Sequence, residues 1–300
     1  MALRADIDDQ LSWLRLGEAY SKAGRHVAAL RALARAHELR PDDWMCTYFI
    51  GEVQRQTGRL SEALASFQSI LDLRPTEAGV LLSFAQTHLE LGRQERFTGF
   101  VARAEQSFVS CVEVMIVAIR ESAGYRGVAW KIAADALFEL SAIAVFVDEG
   151  NVRVAVAKVC EQIQDQSSTR LAGLFKLTSL SPDVPITGVN ALEAAVAAYD
   201  YRITVGSSDD ATLPSSLYDL AVALHGWVLK QPSDATEQAS KAANSFLIQA
   251  LQKEPGNAKF WAALGDLHFI HKPKLSQHAY IKALEVNNKV GKAYVSTIVS

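Results

Sequence analysis

Gly24, Gly58 and Gly92 stand 34 residues apart, and an arginine follows each: Arg25, Arg59 and Arg93. Around them the chain repeats itself in step. Gly17 returns as Gly51, Ala29 as Ala63, Leu30 as Leu64 and Pro41 as Pro75. A unit this short cannot bury its apolar face alone, so neighbouring copies have to stack. That single period decides the fold class before any local reading begins.

Inside the first unit, small and large residues divide the work. Gly17 falls where one helix crosses its partner closely, and Ala29 and Ala36 do the same on the second helix. Trp13, Leu16, Tyr20 and Leu33 fill the space that the small residues leave. Gly24 follows the last turn of the first helix, where a left-handed residue closes the free carbonyls, and Pro41 ends the second helix. The series Trp13, Leu16, Gly17, Tyr20, Ala29, Leu33, Ala36, Pro41 resembles the tetratricopeptide repeat, W-x2-L-G-x2-Y, then A-x3-F, then a proline. The resemblance implies an all-α, tetratricopeptide-repeat right-handed superhelical solenoid of antiparallel helix pairs. It also moves the functional expectation from catalysis to protein binding.

The pattern predicts the rest of the layout. A second unit reads Thr47, Ile50, Gly51, Ala63, Phe67, Ile70, Pro75. A third opens with Leu81, Phe84, Ala85, His88 and Gly92, then gives way to one long apolar-periodic helix from Phe97 to about Arg120. A new first helix is expected from Trp130, with Ala133 and Leu137, running through Ala142 into Val145. That stretch is well short of the ~20 residues that span a bilayer. Residues 148–214 read as an irregular helical insertion between N-terminal repeats at 1–147 and regular repeats at 215–300. In the last region Leu220, Ala221, Leu224, Ala243, Leu247, Ala250 and Pro255 precede Trp261, Leu264, Gly265, His268, Ser276, Tyr280, Ala283 and Asn288. Six residues separate Pro41 from Thr47, Pro75 from Leu81 and Pro255 from Trp261. The same step puts Tyr294 at the opening of another unit that Ser300 cuts off, so the chain reads as a piece of a longer array or an incomplete gene product.

Composition narrows the function. A net charge of −3 and a pI near 6.2 argue against a nucleic-acid surface on the chain as a whole. Cys46, Cys111 and Cys160 are scattered and odd in number, which fits a reducing compartment without disulfides. The N-terminal Met-Ala-Leu-Arg-Ala-Asp-Ile-Asp-Asp lacks a signal-peptide core, so a soluble, intracellular protein is expected. No phosphate loop, dinucleotide fingerprint, GxSxG, HExxH or CxxC pattern occurs, so neither an enzyme nor a cofactor is expected. His268, His271 and His278 lie close in sequence, but His268 holds the tyrosine position of the repeat and no further ligand type joins them.

The candidate partner surface is thinner. Glu18 and Glu52 sit one period apart beside Gly17 and Gly51, which places them near the concave face. Acidic residues there speak against capture of chaperone C-terminal carboxylates. Trp13, Trp130 and Trp261 hold packing positions, whereas Trp44 and Trp227 do not and are candidate exposed anchors. Arg15, Lys22, Arg25, Arg31, Arg35 and Arg40 make the first unit locally basic; this is the one place where direct RNA contact can be entertained.

Longer stretches point further: LSWLRLGEAYSKAGRHVAAL (11–30), VAWKIAADAL (128–137), NSFLIQALQKEPGNAKFWAALGDLHF (244–269) and LSQHAYIKALEV (275–286). In their order of regular and broken units they resemble the tetratricopeptide scaffold family of the superkiller complex, the cofactor of the cytoplasmic RNA exosome. The resemblance implies a non-catalytic cytoplasmic subunit, with a nuclear pool left open. Such a subunit wraps a DExH-box RNA helicase, carries WD-repeat propellers and serves 3′-to-5′ messenger RNA decay. A general tetratricopeptide adaptor, such as a co-chaperone or regulatory subunit, is the alternative. An enzyme that carries such an array beside its catalytic domain is the third reading.

Overall fold

The computed structural model describes residues 8–164, 171, 184–206, 211–231 and 235–286. Tyr294 and the unit it would open, Asn288, and loop residues 207–210 lie outside the described residues. All regular structure among the described residues is helical. The chain divides into two compact units, one of residues 1–139 with 146–155 and one of 140–145 with 156–300.

The first unit begins with α1 (Gln10–Lys22), α2 (His26–Leu39), α3 (Trp44–Gln56) and α4 (Leu60–Leu71). It continues with α5 (Ala78–Phe97), α6 (Val101–Glu121), a short 3-10 turn (Ala123–Tyr125) and α7 (Arg126–Leu140). The starts recur with the period. Asp9 and Asp43 cap α1 and α3 by accepting from Ser12 N at 3.2 Å and Met45 N at 3.0 Å, and Glu77 begins α5 in the same extended backbone conformation. Helices pair antiparallel as α1/α2, α3/α4 and α5/α6, and the pairs stack through α2 on α3 and α4 on α5.

Four crossings share one device. A Cβ on Gly17 would stand 2.6 Å from the Leu33 side chain, on Gly51 2.8 Å from Phe67, on Gly92 2.6 Å from Phe108 and on Gly265 2.5 Å from Tyr280. The glycine therefore makes room for a large side chain of the partner helix, with the backbone at the wider distance of 3.4 Å for Ala29 O under Gly17. Leu33, Phe67 and Phe108 are completely buried.

Two expectations about the third pair are corrected here. Gly92 does not end its helix: it is buried inside α5 and takes the crossing role of Gly17 and Gly51. The left-handed turn falls at Gly99 (φ 87°), the counterpart of Gly24 (φ 70°) and Gly58 (φ 76°), and it separates Phe97 from the helix that starts at Val101. The cause is length. α5 has 20 residues where α1 and α3 have 13 each, and seven extra residues are two helical turns that return the chain to nearly the same face. The helix containing Trp130 also ends earlier than expected, at Leu140, before Ala142 and Val145.

His88 occupies the repeat's tyrosine position in α5 and packs edge-on against Phe84 with ring centroids 4.6 Å apart. Burial pushes its pKa down to about 4, and Nδ1 is buried without a partner among the described residues. The unfolded chain would protonate near 6.5, so the folded state binds fewer protons between those values. Stability is therefore full above about pH 6.5 and falls towards pH 4, by roughly 2 kcal/mol once the ring's partial exposure is allowed for. Denaturant midpoints measured across that range should fall for this chain and stay flatter for His88→Phe.

The second unit contains α9 (Gly188–Val205), α10 (Leu213–Lys230), α11 (Ala235–Lys253), α12 (Ala258–His268) and α13 (Pro273–Val286); the division between units falls within α8 (Glu149–Gln164). α10/α11 and α12/α13 are antiparallel pairs, and Ser276 Oγ donates to the carbonyl of Gly265 at 2.8 Å across the second crossing. Thr187 and Asn190 form a capping box at the start of α9. Ala283 is buried, while Trp261 and Leu264 cover the outer part of this core.

Candidate protein-binding face

The first helices of successive pairs in the first unit, α1, α3 and α5, touch along one face, and polar side chains make those contacts. Gln10 donates to Asp43 at 2.7 Å, Ser21 to Gln56 at 3.0 Å, and Tyr48 and Ser83 share a hydrogen bond of 3.2 Å. Arg55 is the centre of this ladder, donating to Glu52 at 2.9 Å and to Glu90 at 2.7 Å; Gln86 also donates to Glu90, at 3.2 Å. Burial alone would lower the Arg55 pKa, but the two carboxylates outweigh it and hold the guanidinium firmly charged. Burial raises the Tyr48 phenol, with the Ser83 bond opposing it. Further along, Arg93 and Arg96 both donate to Glu139 of α7, at 2.8 and 2.6 Å.

The side chains along this face are joined to one another by charge and hydrogen bonding. The expected residues relate to it unevenly. Glu18 is partly exposed on α1 and held by Lys22 of the same helix at 2.6 Å. Glu52 is on the face, but its carboxylate is committed to Arg55. Trp44 is half-buried, with the Arg74 guanidinium 5.4 Å from its ring centroid and Tyr48 at its edge, 6.4 Å away. Trp227 is corrected outright: it is 4% exposed in the second unit, and its Nε1 donates to Glu193 at 3.3 Å. The Glu193 carboxyl is raised by burial, and the neighbouring Cys160 thiol is pushed up to about 11, again mainly by burial. Trp227 is a core residue, not an anchor.

Trp130 is wholly buried, whereas Trp13, Leu16 and Tyr20 are half-buried at the edge of the first pair's core; Ala29 lies inside that core, and Ala63 and Phe67 are buried in the second pair. Trp261 donates to the carbonyl of Pro255 at 2.9 Å. Pro41 and Pro75 follow α2 and α4 at exposed positions. His268 turns inward to Asn244 at 2.9 Å, with its pKa lowered by burial, while His271 and His278 are exposed. No group of three or more His, Cys, Asp or Glu side chains converges as a metal site among the described residues, and no described helix is long and apolar enough to cross a membrane.

Sequence reasoning missed Arg55, Glu90, Gln86, Tyr48 and Ser83. The signal was present: Ser21–Gln56, Tyr48–Ser83 and Arg55–Glu90 are each 35 residues apart, one more than the period. Reading donors against acceptors at that offset would have drawn the ladder.

Stacked antiparallel helix pairs, four of them with a glycine under a large residue at the crossing, make the tetratricopeptide-repeat fold, and the tetratricopeptide repeat profile matches residues 3–78. Among solved structures, the Pseudomonas aeruginosa protein PilF aligns with a TM-score of 0.54 and 11% identity, over 96% of this chain and 97% of that one, which supports the fold alone. The chain is similar to superkiller protein 3 of Schizosaccharomyces pombe, with 27% identity over 269 residues, covering 89% of this chain and 19% of that protein. It is also similar to superkiller protein 3 of Saccharomyces cerevisiae, at 23% identity over 96% of this chain and 20% of that protein. Mouse superkiller complex protein 3 is 37% identical over 92 residues, or 31% of this chain and 6% of its own length. The chain thus spans at most about a fifth of the length of these relatives.

Proposed function

We propose that this chain is part of a non-catalytic cytoplasmic scaffold of the superkiller kind, organising a DExH-box RNA helicase and WD-repeat propeller subunits for 3′-to-5′ decay of messenger RNA by the exosome. The observation that carries the reading is the similarity to superkiller protein 3 along 89% of the chain, repeats and interruptions together. The polar ladder of the first unit supports it physically, because it ties α1 to α3 and α3 to α5, the first helices of successive pairs, along one surface. In this reading residues 1–147 are N-terminal repeats, two regular, one degenerate and one extended, 148–214 is an irregular helical insertion, 215–300 are regular repeats, and Glu18 is a partner contact. A general adaptor is the second reading, and the repeat profile at 3–78 favours it equally, since any tetratricopeptide adaptor carries such a segment.

The test is affinity capture with the tagged chain from an extract of its own organism. Recovery of an RNA helicase together with WD-repeat subunits is expected, weakened by Glu18→Lys. Recovery of chaperones in their place, with no helicase, would overturn the scaffold reading in favour of the adaptor.

A further inference from the structure

Between the pairs α10/α11 and α12/α13 lies a cavity of about 350 Å³. It is bounded by His225 and Leu229 of α10, Asp266 of α12, Phe269 and Ile270 in the turn that follows, and Tyr280 of α13. Its walls come from two adjacent pairs of the second unit, so it is not a face on which a further pair stacks. The repeat explains why it is open. Leu220 and Ala221 answer Leu16 and Gly17, so His225 stands where α1 has Ser21. Gly265 answers Gly51, so Ile270 stands where α3 has Gln56. In the first unit Ser21 donates to Gln56 at 3.0 Å and joins the two first helices. Ile270 has nothing to offer in that place. It is 72% exposed, and His225 Nδ1 is buried without a partner among the described residues. Phe269 likewise stands where the ladder has Arg55. Leu229 and Phe269 are exposed beside Ile270, so three large apolar side chains ring one cavity.

We propose that this cavity is a docking site for an acidic segment of a partner protein, anchored by one tryptophan side chain. The volume is at the lower end of the range for binding pockets, which suits one large side chain and the turn that carries it. Burial lowers the His225 pKa, with Asp266 opposing, so at neutral pH the ring is uncharged and its Nδ1 can accept. An indole N–H is a donor that brings no acceptor of its own, and it would give His225 the bond that Ile270 withholds. A leucine or phenylalanine anchor would leave Nδ1 bare. The rim sets the sign of the flanks. Lys272 and Lys274, just after the lining His271, are exposed and have no acidic partner among the described residues, and the Tyr280 hydroxyl holds Asp266 at 2.6 Å. Acidic residues beside the anchor would meet those two ammonium groups, whereas a basic segment would bring like charge to the same rim. The inference does not rest on the superkiller reading, because it uses only residues from α10 to α13.

Fluorescence anisotropy on the full chain tests it with three labelled peptides. The first sets one tryptophan among aspartates and glutamates, the second puts naphthylalanine in place of the tryptophan, and the third puts lysines in place of the acids. The first should bind, less tightly as salt rises, and the other two should bind fivefold or more weaker. His225→Phe should make the tryptophan and naphthylalanine peptides bind alike. Ile270→Gln, which recreates the first-unit pairing and gives His225 a partner, should weaken the tryptophan peptide tenfold or more. Lys253→Glu, exposed at the far end of α11, should change it less than twofold. No binding of the acidic tryptophan peptide, equal binding of either other peptide to the unaltered chain, or sedimentation showing dimers that Ile270→Gln dissociates would each overturn the proposal. If His225→Phe fails to fold, Ile270→Gln decides alone, because it changes an exposed residue: unchanged binding there overturns the proposal.

Discussion

Gly92→Leu should destabilise the first unit by about 3–5 kcal/mol, more than any surface change in the chain. Its Cβ would stand 2.6 Å from the Phe108 ring, and Phe108 is completely buried with no open side to retreat into. Overpacking typically costs ~1–3 kcal/mol, and a leucine adds three further carbons beyond the Cβ that already clashes. The gain from removing a helical glycine, at most ~1 kcal/mol, cannot offset that. Gly79→Ala is the matched control: no atom lies within 4 Å of its Cβ, so the same unit should hold or gain stability. Hydrogen exchange across α5 and α6 together with denaturant unfolding reads both. An unchanged midpoint for Gly92→Leu would mean that the α5/α6 crossing is not close-packed.

Trp130→Ala should cost about 3–5 kcal/mol, because the side chain is wholly buried and its removal leaves a cavity that α7 cannot close by moving one neighbour. Trp130→Phe should recover a large part of the loss, as the ring replaces most of the missing volume. Chemical denaturation of the three proteins decides between a packing residue and a surface one: a cost under ~1 kcal/mol for the alanine variant would remove Trp130 from the core.

The sequence made the helix pairs legible because the pairing rests on side-chain volume, and volume is written in residue identity. Gly17 with Leu33, Gly51 with Phe67 and Gly265 with Tyr280 could be placed by counting alone. Counting failed at Gly92 because a fixed period has no way to notice two added turns that leave the helix face unchanged. It failed at Trp227 for a different reason: the Glu193 that receives its indole N–H lies 34 residues away in α9, outside any recognisable repeat. The partner face was the least legible part. Glu18 and Glu52 look equivalent in sequence, yet Arg55 takes Glu52 into the ladder while Glu18 pairs with Lys22 on its own helix.

The long α5/α6 hairpin carries a consequence for how such chains change over evolutionary time. Its arms have 20 and 21 residues against 13 and 14 in the first pair, so the inner seam is matched while the tip lies about 10 Å further out. Insertions of seven residues in each arm are therefore nearly silent for the neighbours, whereas insertions of two or five would rotate every buried side chain away from its seat. The repeat profile stops at residue 78, where this hairpin begins. Lineages that lengthen hairpins in paired heptads would keep the architecture while erasing the period by which it is recognised.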